Sequence, residues 1–120
     1  MNIGLDIGGT KCAVSTGKCG EGKIEILSRD EFPTKGLAWR EVLEEFAARI
    51  AEIVAGSGES LEAIGISCGG PLDSKRGLVL SPPNLPGWDE VPVVGFFKER
   101  FKVPVALQND ANACALAEYL

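Results

Sequence analysis

The sequence predicts an α/β domain in the order β-β-β-α-β-α-β-α, with a mixed five-stranded central sheet and flanking helices. Three observations point there. The first three strand-like runs are joined by connections short enough for an antiparallel meander. One long amphipathic stretch follows them. The later runs, at 61–67 and 103–107, are almost wholly apolar, as strands covered on both faces are. The chain has 120 residues, 45% of them hydrophobic and 24% charged, which suits one globular domain with a modest core.

Residues 2–8 form a short apolar strand that ends in glycines. In 11–17, Cys12, Val14 and Thr16 alternate onto one face of a half-buried strand. Three glycines between 17 and 22 suit a turn, and 23–29 is a third strand. From 37 to 54, Trp39, Val42, Leu43, Phe46, Ile50, Ile53 and Val54 recur at spacings of three and four, the mark of an amphipathic helix. Glu41, Glu44, Glu45, Arg49 and Glu52 occupy its other side as a solvated face, and Gly56-Ser-Gly58 ends it. Gly69-Gly70-Pro71 breaks the strand at 61–67. The stretch 71–92 is rich in proline and glycine, with a short strand at 77–80; so long a loop inside a compact domain is uncommon and often functional. Pro92 fits the first turn of a helix reaching Phe101, with Val94, Phe97 and Phe101 inward. After the strand at 103–107 a helix starts near Ala111. It is still apolar at Leu116, Tyr119 and Leu120, which predicts that residues 1–120 are the front part of a longer protein, truncated in its last helix.

Charge and composition exclude several classes. Acidic residues outnumber basic ones by 17 to 12, a net charge of −5, so the basic footprint of a nucleic-acid binder is missing. No apolar run is long enough to span a membrane, and no signal-peptide pattern opens the chain; a cytoplasmic protein with neither nucleic-acid nor membrane partners is expected. The absence of histidine removes His-based triads and most zinc sites. Cys12, Cys19, Cys68 and Cys114 contain no Cys-x-x-Cys pair and read as free thiols that behave as small hydrophobes.

The chemistry concentrates in a few segments. Asp6 sits within an apolar strand, where an unpartnered carboxylate is costly. It either bonds the following turn or faces a cleft and holds a hydrated Mg²⁺, an ion that keeps several waters. Gly8-Gly9-Thr10-Lys11 comes next. Paired glycines let successive N–H groups converge on phosphate oxygens, Thr10 adds a hydroxyl and Lys11 a positive charge, although hairpin turns also use Gly-Gly. A Walker A loop is excluded, because Ile24 follows Gly22-Lys23 where a Ser or Thr is required. Asp110 stands where a helix begins, a position that favours Asp as N-cap.

Asp6-Ile-Gly-Gly-Thr-Lys11 resembles the first phosphate motif of the ROK sugar-kinase family, in the actin-like ATPase (ribonuclease H-like) superfamily. Gly65-Ile-Ser-Cys-Gly-Gly-Pro-Leu-Asp73 is similar to that family's Gly-rich sugar-side loop. Leu80-Ser-Pro-Pro-Asn-Leu-Pro-Gly-Trp88 is similar to its substrate-contacting segment, and Asn109-Asp-Ala-Asn-Ala-Cys-Ala-Leu-Ala-Glu118 to its catalytic motif. The resemblance covers essentially the whole chain, in the right order. It implies an ATP- and Mg²⁺-dependent hexose kinase, glucokinase-like, with residues 1–120 as its N-terminal domain. Asp110 becomes the general base toward the sugar hydroxyl, beside its capping role. Asn109 both donates and accepts and grips a sugar hydroxyl; Gly69 and Gly70 admit close backbone approach, or form an ordinary turn. Asn84 is a substrate contact or a turn residue, and Trp88 packs against sugar or core, the core being the favoured reading. The family's sugar-side His motif and Cys-rich zinc motif have no counterpart here, so any zinc, the adenosine pocket and further sugar contacts are expected in an absent C-terminal half. A homodimer of the full-length protein is also implied, and little activity for this piece alone. The alternatives are a ROK-type transcriptional regulator and a non-catalytic sugar-sensing module. The first is disfavoured because the Asp-x-Gly-Gly-Thr motif begins at residue 6, leaving no room for a DNA-reading helix.

Overall fold

A computed structural model describes residues 1–20, 23–34, 36–80, 82–83, 85–109 and 113–118. The five-stranded sheet has the order β3-β2-β1-β4-β7, from β1 (Asn2–Ile7), β2 (Lys11–Gly20), β3 (Lys23–Pro33), β4 (Ala63–Cys68) and β7 (Val105–Gln108). The meander β1-β2-β3 is antiparallel, as its short connections require, whereas β1, β4 and β7 run parallel. Between β4 and β7 the chain adds the hairpin β5 (Leu72–Asp73) and β6 (Leu78–Val79). The helices are α1 (Trp39–Ser57), α2 (Val93–Phe101) and α3 (Ala113–Glu118).

Side-chain alternation gives the sheet two different faces. One carries Ile3, Leu5, Cys12, Val14, Ile64, Ile66, Val105 and Leu107, all buried. It meets Val42, Leu43, Phe46 and Ile50 of α1 and Phe97 of α2, and the Phe46 ring packs edge-on against Phe32 at 4.9 Å and Phe97 at 6.2 Å. On the other face Ser15, Gly4, Gly65 and Ala106 stand in one row across four strands. That row of small residues receives α3. A β-carbon on Gly65 would lie 2.0 Å from the Ala113 carbonyl oxygen, so the helix backbone rests directly on the strand.

The expected elements are present, with three differences. First, β2 runs on to Gly20 instead of turning from Gly17, and β3 runs on to Pro33 instead of ending at Arg29, because the register shift between Thr16 and Gly17 leaves Leu27 of β3 as the extra residue of a bulge and pairing resumes at Gly17 with Ile26. Second, Pro92 is the residue before α2 rather than part of its first turn; it accepts the Phe96 N–H on its carbonyl at 3.0 Å. Third, 71–92 is less irregular than expected. Val79 exchanges backbone hydrogen bonds with Val91 at 2.9 and 3.0 Å, and Leu85, Trp88 and Val91 are buried, anchoring the segment to the core. The core role expected for Trp88 therefore holds. In α2 Phe97 is fully buried together with Val93, while Val94 and Phe101 are half-buried. Cys12 and Cys68 are buried free thiols, as expected. No helix among the described residues is long and apolar enough to cross a membrane.

Candidate functional site

Because β1, β4 and β7 are parallel, their carboxyl ends share one edge of the sheet. Ile7 pairs with Cys68 and Ser67 with Gln108, so the segments that follow, Gly8–Thr10, Gly69–Pro71 and Asn109, emerge side by side. Two inter-strand spacings separate the first from the last, roughly 10 Å. Ligands of parallel α/β sheets bind at such carboxyl edges. The sequence-predicted residues are thus brought together in all three described segments. Asp110 and Asn84 lie outside the described residues.

The turn after β1 is tight. A β-carbon on Gly8 would lie 2.6 Å from the Lys11 carbonyl oxygen, which leaves glycine as the residue that closes it. Thr34, just past β3, holds the turn from outside. Its hydroxyl donates to the Gly8 carbonyl at 2.7 Å, and its own N–H donates to the Thr10 carbonyl at 3.0 Å. The Cys12 sulfur lies 3.0 Å from the same hydroxyl oxygen; with that hydroxyl proton committed to Gly8, the thiol is the donor. Burial pushes the Cys12 thiol above its ordinary value. Cys68, beneath the Gly69–Pro71 turn, is pushed up to about 12 by burial and then by Cys12. Both thiols are therefore neutral at physiological pH, consistent with a packing role.

Asp6 shares its face of the sheet with Ser67 and Gln108, which stand in register with it, and with α3. Neither sequence-based reading of its partner included Arg29, which donates to Asp6 Oδ2 at 3.0 Å and continues to Glu31 at 3.5 Å. Lys11 pairs with Glu31 at 3.2 Å and is largely exposed, as is Thr10. Among the described residues no group of three or more Cys, Asp and Glu side chains is gathered to hold a metal. Asp6 itself is a partly exposed carboxylate, the kind of group a hydrated magnesium ion would meet through water.

On the far side of the edge, Gly70 lies against Asn109. A β-carbon added to Gly70 would come within 3.0 Å of Asn109 Nδ2, whereas Gly69 faces open space. The Gly70-Pro71 peptide is cis. Asn109 is exposed, its amide available beside the glycines. A cleft of about 420 Å³ begins at Gly9 and Thr34 and runs between Leu37 and the buried ring of Trp88. Thr34 and Arg29 make contacts to these segments that reading the sequence missed. A single Thr after Pro33 and a single Arg in a strand offer no local pattern, since their partners are more than 20 residues away.

Known proteins are similar to this chain. A glucokinase from Thermotoga maritima is 36% identical over 117 residues, 97% of this chain and 35% of the relative. The crystal structure of a ROK family glucokinase from Streptomyces griseus, in complex with glucose and AMPPNP, superposes with a TM-score of 0.72 at 33% identity, covering 98% of this chain and 36% of that one. A xylose repressor from Caldicellulosiruptor bescii is 42% identical over 55 residues, 46% of this chain and 14% of the repressor. The chain thus spans about a third of the length of the kinases it matches. The ROK family profile matches residues 2–120, taking in every strand of the parallel edge and the turns that follow them, and the chain belongs to that family.

Proposed function

We propose that the intact protein phosphorylates a hexose, glucose in the first instance, with ATP as phosphoryl donor in the cytoplasm. The observation that supports this most is the common edge on which the Gly8–Thr10 turn and the Gly70–Asn109 contact stand about one to two strand spacings apart. That separation allows polyphosphate at one turn and a sugar ring at the other.

In this reading Gly8, Gly9, Thr10 and Lys11 hold phosphate oxygens through backbone N–H groups, one hydroxyl and one ammonium. Asp6 holds Mg²⁺ through water; the ion would supply charge neutralisation on the phosphates. Asn109, with Gly69, Gly70 and Asn84, orients the sugar. Asp110 takes the proton from the attacking hydroxyl as that oxygen bonds the γ-phosphorus and the bond to the ADP oxygen breaks. Residues 1–120 are the N-terminal domain, and the remaining sugar contacts and the adenosine site belong to a C-terminal half.

The test is Asp110→Asn in the full-length protein, with glucose, fructose and N-acetylated hexosamines as acceptors. Turnover should fall about 10²- to 10⁴-fold, the usual contribution of a general base, while sugar affinity changes little. A wild-type protein that binds sugar but transfers no phosphate would be a sensor, the reading that the xylose repressor's similarity keeps in view. The 120-residue piece alone should show little or no turnover in the same assay.

A further inference from the structure

Thr34 belongs to none of the segments that resemble the family's motifs, yet its hydroxyl and its backbone N–H both bond carbonyls of the Gly8–Thr10 turn. It is 4% exposed, which leaves its hydroxyl little access to water as an alternative to the bond to Gly8. The Gly8-Gly9 peptide is trans, and in a trans peptide the C=O and the N–H point in opposite directions. Fixing the Gly8 carbonyl toward Thr34 therefore fixes the Gly9 N–H away from it. The same holds two peptides on, where the Thr34 N–H fixes the Thr10 carbonyl and so the Lys11 N–H. Between two glycines a peptide plane rotates with little steric resistance, so the turn cannot hold this orientation by itself. The backbone of Thr34 is tied down in turn, its carbonyl accepting the Leu37 N–H at 3.2 Å at the approach to α1.

We propose that Thr34 is a positioning residue for phosphate binding: its hydroxyl locks the Gly8-Gly9 peptide so that the Gly9 N–H is presented to the polyphosphate before it arrives. The inference rests on the reading of this turn as a phosphate site. In the full-length protein, Thr34→Val keeps the shape of the side chain and removes the donor, whereas Thr34→Ser keeps the donor. T34V should raise KM for MgATP about tenfold and lower kcat, as expected when a buried acceptor loses its partner, with KM for the sugar within twofold of wild type. T34S should return both constants to within about twofold. Amide hydrogen exchange supplies a readout independent of activity: segment 8–11 should exchange faster in T34V and normally in T34S, with the other strands unaffected. Thr34→Ala replaces T34V if valine prevents folding. Wild-type KM for MgATP and wild-type exchange in T34V would overturn the proposal, and so would T34S as impaired as T34V. If the wild-type protein phosphorylates no sugar, the kinase reading fails, and exchange alone then decides the lock: faster at 8–11 in T34V supports it, unchanged overturns it.

Discussion

Gly65 and Gly8 owe their identity to space, not to unusual backbone angles, since neither is among the positive-φ residues. At Gly65 a methyl group would meet the Ala113 carbonyl oxygen at 2.0 Å and the Ala117 nitrogen at 2.7 Å, both backbone atoms of a helix that cannot yield locally. Gly65→Ala should therefore destabilise the protein by about 2 kcal/mol or more, as overpacked cores do, read as a lowered midpoint in urea. If Asp110, three positions ahead of α3 in the sequence, acts as proposed, the same variant should also lower turnover; normal stability would mean that α3 does not rest on β4. Arg29 shows a different residue-level effect. Its pairing with Asp6 lies on a half-exposed surface, where ion pairs contribute little to stability, so its effect belongs to the charge beside the Gly8–Thr10 turn.

Secondary elements are held mainly through aromatic and aliphatic contacts across the sheet. Helix α1 buries Val42, Leu43, Phe46, Ala47 and Ile50 and is closed by Gly58 in the left-handed conformation at φ 71°. Its tie to the neighbouring elements is Phe46, fully buried between Phe32 of β3 and Phe97 of α2. Phe46→Ala should cost about 3–5 kcal/mol, measurable as a loss of unfolding midpoint or of soluble protein, since three elements lose their common contact. A cost below about 1 kcal/mol would show that the three pack independently. On the surface Arg100 of α2 makes a two-pronged bond to Glu44 of α1 at 2.8 and 3.2 Å, and its guanidinium holds the Glu44 carboxyl below its usual range. That pair orients the helices; the phenylalanines hold them.

Across the whole molecule, the pH dependence of stability should be set on the alkaline side by the two buried thiols. Cys68 titrates near 12 in the folded protein, against an ordinary value of 9.0, and Cys12 is shifted the same way. A raised folded pKa means that the unfolded chain releases its protons first. Stability is therefore fully present below pH 9 and is lost as pH climbs from 9 toward 12, by up to about 1.4 kcal/mol per pH unit for Cys68. Unfolding midpoints in urea should be level from pH 7 to 8.5 and fall above 9, and Cys68→Ala should flatten that fall. An unchanged slope in the variant would place the alkaline sensitivity elsewhere. The two thiols flank Ile7 on neighbouring strands, directly beneath the two glycine turns, so alkaline loosening is expected to reach the candidate site first.

Period and punctuation in the sequence are enough for the element order, the antiparallel meander and the apolar stripe of α1, because these follow from local contacts and from which face each residue must bury. The motifs around Asp6, Gly69 and Asn109 stand out for the same reason, each being a short run of unusual residues. What depended on the folded chain was every contact made at a distance: Arg29 on Asp6, Gly70 against Asn109, Thr34 on the Gly8 carbonyl, Gly65 under α3. The extension of β2 past Gly17 and the anchoring of 71–92 are of this kind too, since a partner strand and a core pocket outweigh local turn preference. The physical reason is that a hydrogen bond or a close backbone approach depends on where two segments meet in space. Strand order brings those segments to one edge, and nothing in the spacing of residues along the chain encodes that meeting.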